Sequence, residues 1–168
     1  MSRSPPNGRH GHPVVRRVSA DRGAGLEDLV RDPVRSVRVA AVRSWLEQAR
    51  PVRGLSKGAV EDFRATATHL ADRADGRLGL ALLLNAEGDG TAAEVQLRQA
   101  VELEPEHVNA VLALAQHLQG TARGAEALAL LEERSSLDPM IRYALGLALA
   151  GSGEEGRALE QLGIAAAD

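Results

Sequence analysis

Few residues in this chain stand at spacings that could do chemistry. His10 and His12 are close enough to share a metal ion, but no further ligand accompanies them in the sequence. Asn85-x-Glu87-x-Asp89-Gly90, followed by Gln96, has the rhythm of a calcium loop. Such a loop wants a carboxylate first and a bidentate glutamate last. Asn85 and Gln96 occupy those places, so calcium is not expected. His69, His107 and His117 are single histidines without a carboxylate–histidine spacing, which assigns them structural or surface roles. The absence of cysteine excludes disulfides, c-type haem attachment and cysteine zinc sites. No glycine-rich loop ends in Lys-Ser or Lys-Thr, and there is no Gly-x-Ser-x-Gly. The expectation is a chain with no catalytic residue, no cofactor and no metal.

The elements that carry the remaining side chains announce themselves by repetition. Gln96-Leu97-Arg98-Gln99-Ala100-Val101-Glu102-Leu103-Glu104-Pro105 has the same shape as Leu130-Leu131-Glu132-Glu133-Arg134-Ser135-Ser136-Leu137-Asp138-Pro139, and the two prolines are 34 positions apart. In a frame that begins at Ala74, large and small apolar residues fall at fixed places: Leu80, Ala81, Leu84, Ala93, Leu97 and Ala100. In a second frame from Val108 the same places hold Leu114, Ala115, Leu118, Ala127, Leu131 and Arg134, and only Arg134 departs from the code. Two helices approach closely only where small residues let large ones fill the gaps. This pattern resembles the tetratricopeptide repeat family, whose period is the same. The resemblance implies an all-α fold: a short right-handed α-solenoid of about three helix pairs, preceded by two or three N-terminal helices.

A third unit fits from Pro139 through Leu145-Gly146, Leu149, Gly153, Ala158, Leu162 and Ala165, three residues earlier than an unbroken period would start it. The loop into that unit is therefore expected to be three residues short. The units are then 74–107, 108–138 and 139–168. Helices are predicted near 77–87, 91–103, 108–119, 124–135, 140–151 and 154–166, with glycines marking the turns and Pro105 and Pro139 stopping the helices before them.

Residues 1–18 are rich in Ser, Pro, Gly, His and Arg and are expected to be a disordered tail. Arg16-Arg17 lacks the apolar stretch an export signal needs. Residues 19–73 are expected to hold two or three helices. Asp32 and Pro33 predict a helix start, with Val34, Val37, Ala41, Trp45 and Gln48 along one face. The phrase from Asp32-Pro33 through Val37-Arg38 to Ala40-Ala41 resembles the second helix of a HEAT repeat, over about 25 residues. Ser56 should cap a helix from Lys57 to about Ala71, with Val60, Phe63, Ala67 and Leu70 facing Leu78 and Leu82. The whole order resembles the C-terminal HEAT and tetratricopeptide part of multihaem c-type cytochromes, without their haem domain. Only the architecture is carried over, not electron transfer.

The net charge of −3 conceals an asymmetry: residues 1–57 carry 12 Lys+Arg against 5 Asp+Glu, and residues 58–168 carry 8 against 18. That suits a basic partner for an acidic groove, or a basic end for nucleic acid. The basic residues are not interleaved with stacking aromatics, so nucleic acid is not the expected partner. The longest apolar run, Tyr143 to Ala150, is too short to span a membrane. The expected setting is the cytoplasm, with no membrane contact.

In the tetratricopeptide resemblance the first helix of each unit lines a concave face at fixed positions. These map onto Leu78, Leu82 and Asn85, then Asn109, Leu112, Gln116 and Gln119, then Tyr143 and Leu147, with Arg142 beside them. The expected function is a non-catalytic scaffold or adaptor that holds another protein or peptide in this groove. The alternatives are a regulator or nucleic-acid-associated protein using the basic N-terminal segment, and an accessory subunit of a larger enzyme. On the last helix Leu159, Gly163 and Ala166 form a small apolar face, which predicts a homodimer through that helix.

Overall fold

The computed structural model describes residues 25–167, and all regular structure among them is helical. The expected tail 1–18, with His10, His12 and Arg16-Arg17, lies outside the described residues. In chain order come α1 (Leu26–Leu29), α2 (Arg35–Glu47), a single 3-10 turn (Val52–Gly54), α3 (Lys57–His69), α4 (Ala74–Glu87), α5 (Gly90–Leu103), α6 (Val108–Gly120), α7 (Gly124–Arg134), α8 (Pro139–Gly151) and α9 (Glu155–Ala165).

From α4 onward the helices form three hairpins, α4/α5, α6/α7 and α8/α9. Each leans on the next through α5–α6 and α7–α8, and the first helices touch in series, α4 with α6 and α6 with α8. One apolar core runs through all three hairpins. It alternates Ala81, Ala93, Ala100, Ala115 and Ala127 with Leu97, Leu114, Leu118, Leu131, Leu145 and Leu149. Gly146 belongs to the same code, because a Cβ there would come within 2.6 Å of Leu162 Cγ. Local signals set the helix starts: Asp89 Oδ1 accepts the Ala92 N–H (2.9 Å) and Asp138 Oδ1 the Met140 N–H (2.7 Å). The start of α4 is held from a distance, since Ala74 N–H donates to Glu104 Oε1 at the end of α5 (2.9 Å).

The hairpins begin at Ala74, Val108 and Pro139, 34 and 31 residues apart. The expected short loop is not the cause. Residues 104–107 and 135–138 are loops of equal length, and the shortening falls in α7, which has 11 residues where α5 has 14. The Ser135 hydroxyl donates to the Glu132 carbonyl (3.0 Å), offering the backbone an alternative to a further turn. Pro139 is the first residue of α8, under the Asp138 cap, rather than a stop for α7. Arg134 therefore ends its helix where Ala100 continues one, and its guanidinium reaches the Pro105 carbonyl (2.8 Å).

The N-terminal helices have a separate core of Val30, Ala41, Val42, Trp45, Leu46, Ala59, Phe63 and Leu83. Ser56 Oγ accepts the Ala59 N–H (3.2 Å) and starts α3 as expected. The start of α2 differs from expectation. Asp32 Oδ1 accepts the Val34 N–H (2.7 Å), which keeps Asp32 and Pro33 in a turn, and the helix begins at Arg35. Val34 and Gln48 are exposed, and the buried face is Ala41, Val42, Trp45 and Leu46. It is wider than one stripe because α1, α3 and α4 all pack on α2. Helix α3 meets α4 at Leu83, with Leu82 and Ala86 alongside, while Leu78 turns into the repeat core. Gly76 permits this junction, since any Cβ there would collide with the Leu70 carbonyl.

Candidate functional site

The faces of α4, α6 and α8 that point away from the repeat core line two cavities. The larger, about 820 Å³, lies between α6, α7 and α8. The smaller, about 390 Å³, lies between α4, α6 and the C-terminal end of α2. Gln116 lines both, so they adjoin at α6 along one groove face of the stack. Residues spaced three and four apart share a helix face. Met140, Tyr143 and Leu147 accordingly make one apolar row on α8, about half exposed (55%, 48% and 51%). Asn85, Asn109, Gln116 and Gln119 bring amides to the same groove. Their side chains take part in no hydrogen bond within the described residues, so their donors and acceptors face solvent.

Nearly every residue named from the repeat frame lines this groove. Leu78, Leu82, Asn85, Asn109 and Gln116 surround the smaller cavity; Leu112, Gln116, Gln119, Tyr143 and Leu147 surround the larger. Leu78 is only 7% exposed and forms part of the floor. Arg142 lines neither cavity and lies half-buried on α8. The frame missed residues of two kinds. Ala125 and Leu128 enter the larger cavity from α7, a second helix of its pair. Arg43 and Glu47 enter the smaller one from α2, which lies outside the repeats. A rule that draws only on first helices has no means of finding either.

The charges at the smaller cavity are loosely held. Arg43 Nη2 donates to the Asp75 carbonyl at 3.4 Å, and its Nη1 stands 4.0 Å from Glu47 Oε1. The Asp75 carboxylate stands 3.6 Å from His107 Nε2, and His107 Nδ1 accepts the Ala110 N–H (3.2 Å) at the start of α6. His117 is nearly buried, with Nε2 3.9 Å from Glu94. Around Arg123 the charges are tightly paired. Arg123 donates to both oxygens of Glu94 (2.7 and 2.8 Å) and twice to Glu126, while Arg98 joins both carboxylates. The hydrogen bonds from Arg123, then those from Arg98, hold the Glu94 carboxyl below the usual carboxylate range.

The residues of the calcium-like phrase have other partners: Glu87 pairs with Arg64 (2.6 Å) and Asp89 caps α5. Among the described residues no three His, Asp or Glu side chains converge as a metal site would require, and no helix is long and apolar enough to cross a membrane. On α9, Leu159 is 72% exposed, with Gly163 and Ala166 also at the surface.

Comparison with known proteins agrees with this geometry. Residues 84–150 match the family described as Tetratricopeptide repeat. Two solved structures share the fold. One, the crystal structure of MamA protein, is 17% identical, with a TM-score of 0.54 over 82% of this chain and 75% of that one. A second crystal structure of MamA is 18% identical, with a TM-score of 0.55 over 84% of this chain and 92% of that one. A search of the curated proteins finds no relative. The fold is thus a short right-handed α-solenoid of three tetratricopeptide-type helix pairs behind a group of N-terminal helices.

Proposed function

We propose that this chain is a non-catalytic scaffold that binds a segment of another protein in the groove formed by α4, α6 and α8. The observation that carries the reading is the lining itself. Four amides without partners among the described residues and a half-exposed row of Met140, Tyr143 and Leu147 line two adjoining cavities. Amides suit the polar backbone of a peptide and the apolar row suits its side chains. A tetratricopeptide fold, built as a rigid stack, presents such a surface without needing to move. The setting we assign is the cytoplasm.

A photo-crosslinking amino acid placed at Tyr143 in the groove, and in parallel at Val95 outside it, tests the reading. Crosslinks to specific proteins are expected from position 143, and they should weaken in an Asn85→Ala/Asn109→Ala background. Equal crosslinking from both positions would reject the groove as the binding surface.

The exposed Leu159, with Gly163 and Ala166, supports a second contact, a two-fold homodimer through α9. Light scattering at micromolar concentration is expected to give a dimer mass that Leu159→Glu converts to a monomer. A monomer mass for the wild type removes this contact from the proposal.

A further inference from the structure

The groove is chemically unequal along its length, and that inequality says what kind of segment it takes. At the α8 end the lining is apolar: Leu112, Leu128, Met140, Tyr143 and Leu147, with no charged side chain in the larger cavity. At the α2/α4 end the lining holds three charges, Arg43, Glu47 and Asp75. Two carboxylates and one guanidinium thus line this end, with the Asp75 carboxylate turned to His107 and its carbonyl to Arg43. They are among the less satisfied charges of the molecule. Glu47 is 51% exposed and stands 4.0 Å from Arg43, while Asp75 is 67% exposed and stands 3.6 Å from an imidazole. The Arg43 guanidinium already donates to the Asp75 carbonyl. A ligand carboxylate approaching Arg43 would have to sit beside Glu47 and Asp75, where like charges repel. A ligand cation meets two carboxylates there, each held by no contact shorter than 3.6 Å, against the single Arg43 guanidinium. The repeats add a field of the same sign, residues 58–168 carrying 8 Lys+Arg against 18 Asp+Glu, while α2 itself belongs to the basic residues 1–57.

Resting on the groove reading above, we infer that the partner is a basic–apolar peptide segment: a Lys or Arg side chain at Glu47 and Asp75, and a large apolar side chain over Met140, Tyr143 and Leu147. The amides of Asn85 and Asn109 line the charged end, Gln116 stands where the two cavities meet, and together they hold the backbone. An extended backbone uses those amides, whereas a helix has already satisfied its own N–H and C=O groups. The spacing of the two anchors follows from the stack. Packed helices lie about 8–10 Å apart, so the step from α4 past α6 to α8 is roughly 16–20 Å. An extended chain advances about 3.3 Å per residue, which sets the basic and apolar residues about five or six positions apart. Glu47 brings to this specificity a carboxylate from α2, outside the repeats, beside Asp75 from α4.

Selection of random peptides displayed on phage against the full chain tests this. Enriched sequences are expected to pair a Lys or Arg with a Leu, Met or Phe about five or six positions away. A synthetic peptide of the leading sequence should lose on the order of tenfold in affinity to Glu47→Gln/Asp75→Asn, the loss of one charge-assisted hydrogen bond. It should lose a similar factor in wild type when its own basic residue is changed to Glu, a control that does not depend on how the variant folds. Its affinity should also fall with added salt. Binders that need Tyr143 but carry acidic or no charged residues, or that ignore both carboxylate changes, overturn the inference and leave the groove reading standing. Binders indifferent to Tyr143→Ala, or no enrichment at all, overturn both.

Discussion

The molecule contains two cores built by different rules, joined at α4. The core of the hairpins repeats a code in which alanines admit leucines from the neighbouring helix, and its buried side chains are nearly all Ala, Leu, Val or Ile. The N-terminal core depends on individual large residues in particular places. Trp45 is fixed on several sides: its Nε1 donates to the Pro51 carbonyl (3.1 Å), the Arg50 guanidinium lies 3.8 Å from the ring centroid, and Gly54 passes so close that any Cβ would strike the ring. Helix α4 serves both cores, giving Leu78 and Ala81 to one and Leu83 to the other. A repeated core distributes its stability along the stack, while an irregular one concentrates it in a few contacts.

Leu131→Asp should damage the fold most. Leu131 is 1% exposed in the repeat core, and removing it while introducing a carboxylate costs at least about 3–5 kcal/mol, much of a typical domain's stability. Loss of the cooperative melt, followed by circular dichroism, is expected; an unchanged melt would show that the repeat register is wrong. Phe63→Ala should cost about 3–5 kcal/mol but on the other side of α4. Hydrogen exchange should quicken in α2 and α3 while α6 to α9 stay protected. Equal loss of protection throughout would make the two cores one cooperative unit.

That difference also decides how far each region can be read from its residues. The hairpin helices are legible because the Ala/Leu code states which face of each helix meets its partner, and because Asp89 and Asp138 are local caps. The groove follows from the same frame, which places Asn85, Asn109 and Gln116 opposite the core. The shortening within α7 is not legible, since a period counts residues without saying which element lost them. Nor is the start of α4, which depends on Glu104, 30 residues away. Around α2, Asp32 and Pro33 carry the signature of a helix start but form the turn before it, and the burial of Val42 and Leu46 follows from three neighbouring helices that no local pattern reveals. Arg43 and Glu47 reach the groove for the same reason: α2 is positioned by the irregular core, not by the repeat.

A smaller effect separates the inner and outer sides of α8/α9. Gly146→Ala places a methyl 2.6 Å from Leu162 Cγ and 3.2 Å from the Ala158 carbonyl, so the Leu162 side chain must shift and the helix backbones give by a few tenths of an ångström. Overpacking of this kind costs about 1–3 kcal/mol. Gly163→Ala meets nothing within 4 Å, and replacing a mid-helix glycine gains about 0.5–1 kcal/mol. In the Leu159→Glu background, which removes the proposed dimer contact, thermal melts should therefore move in opposite directions for the same change at two glycines of one hairpin. A fall in both would show that α9 packs against something on its outer face.

The smallest effect expected is on the pH dependence, where each region has a cluster of carboxyls held below their usual range. In the repeats Glu94 and Glu126 share Arg123 and Arg98; in the N-terminal part Asp62 takes hydrogen bonds from Arg38 and an ion pair from Arg35. All three carboxyls are held below their usual range, chiefly by hydrogen bonds from Arg123 for the glutamates and from Arg38 for Asp62. A carboxyl depressed in the folded state binds its proton more readily when unfolded. Its stabilisation is therefore complete above the ordinary carboxylate range near about pH 4, and it is lost as pH falls through the lowered one. The clusters are partly open to solvent, so screening keeps the contribution modest. Wild type should melt at a steady temperature near neutrality and lose stability progressively below about pH 4. Glu94→Gln should melt lower at neutral pH yet fall less steeply in acid, and added salt should narrow the gap between the two. The carboxamide at that position cannot form the ion pair and has no proton to take up. An acid limb identical to that of the wild type would exclude Glu94 as a source of the acid sensitivity and leave it to Glu126 and to the Asp62 cluster beside the irregular core.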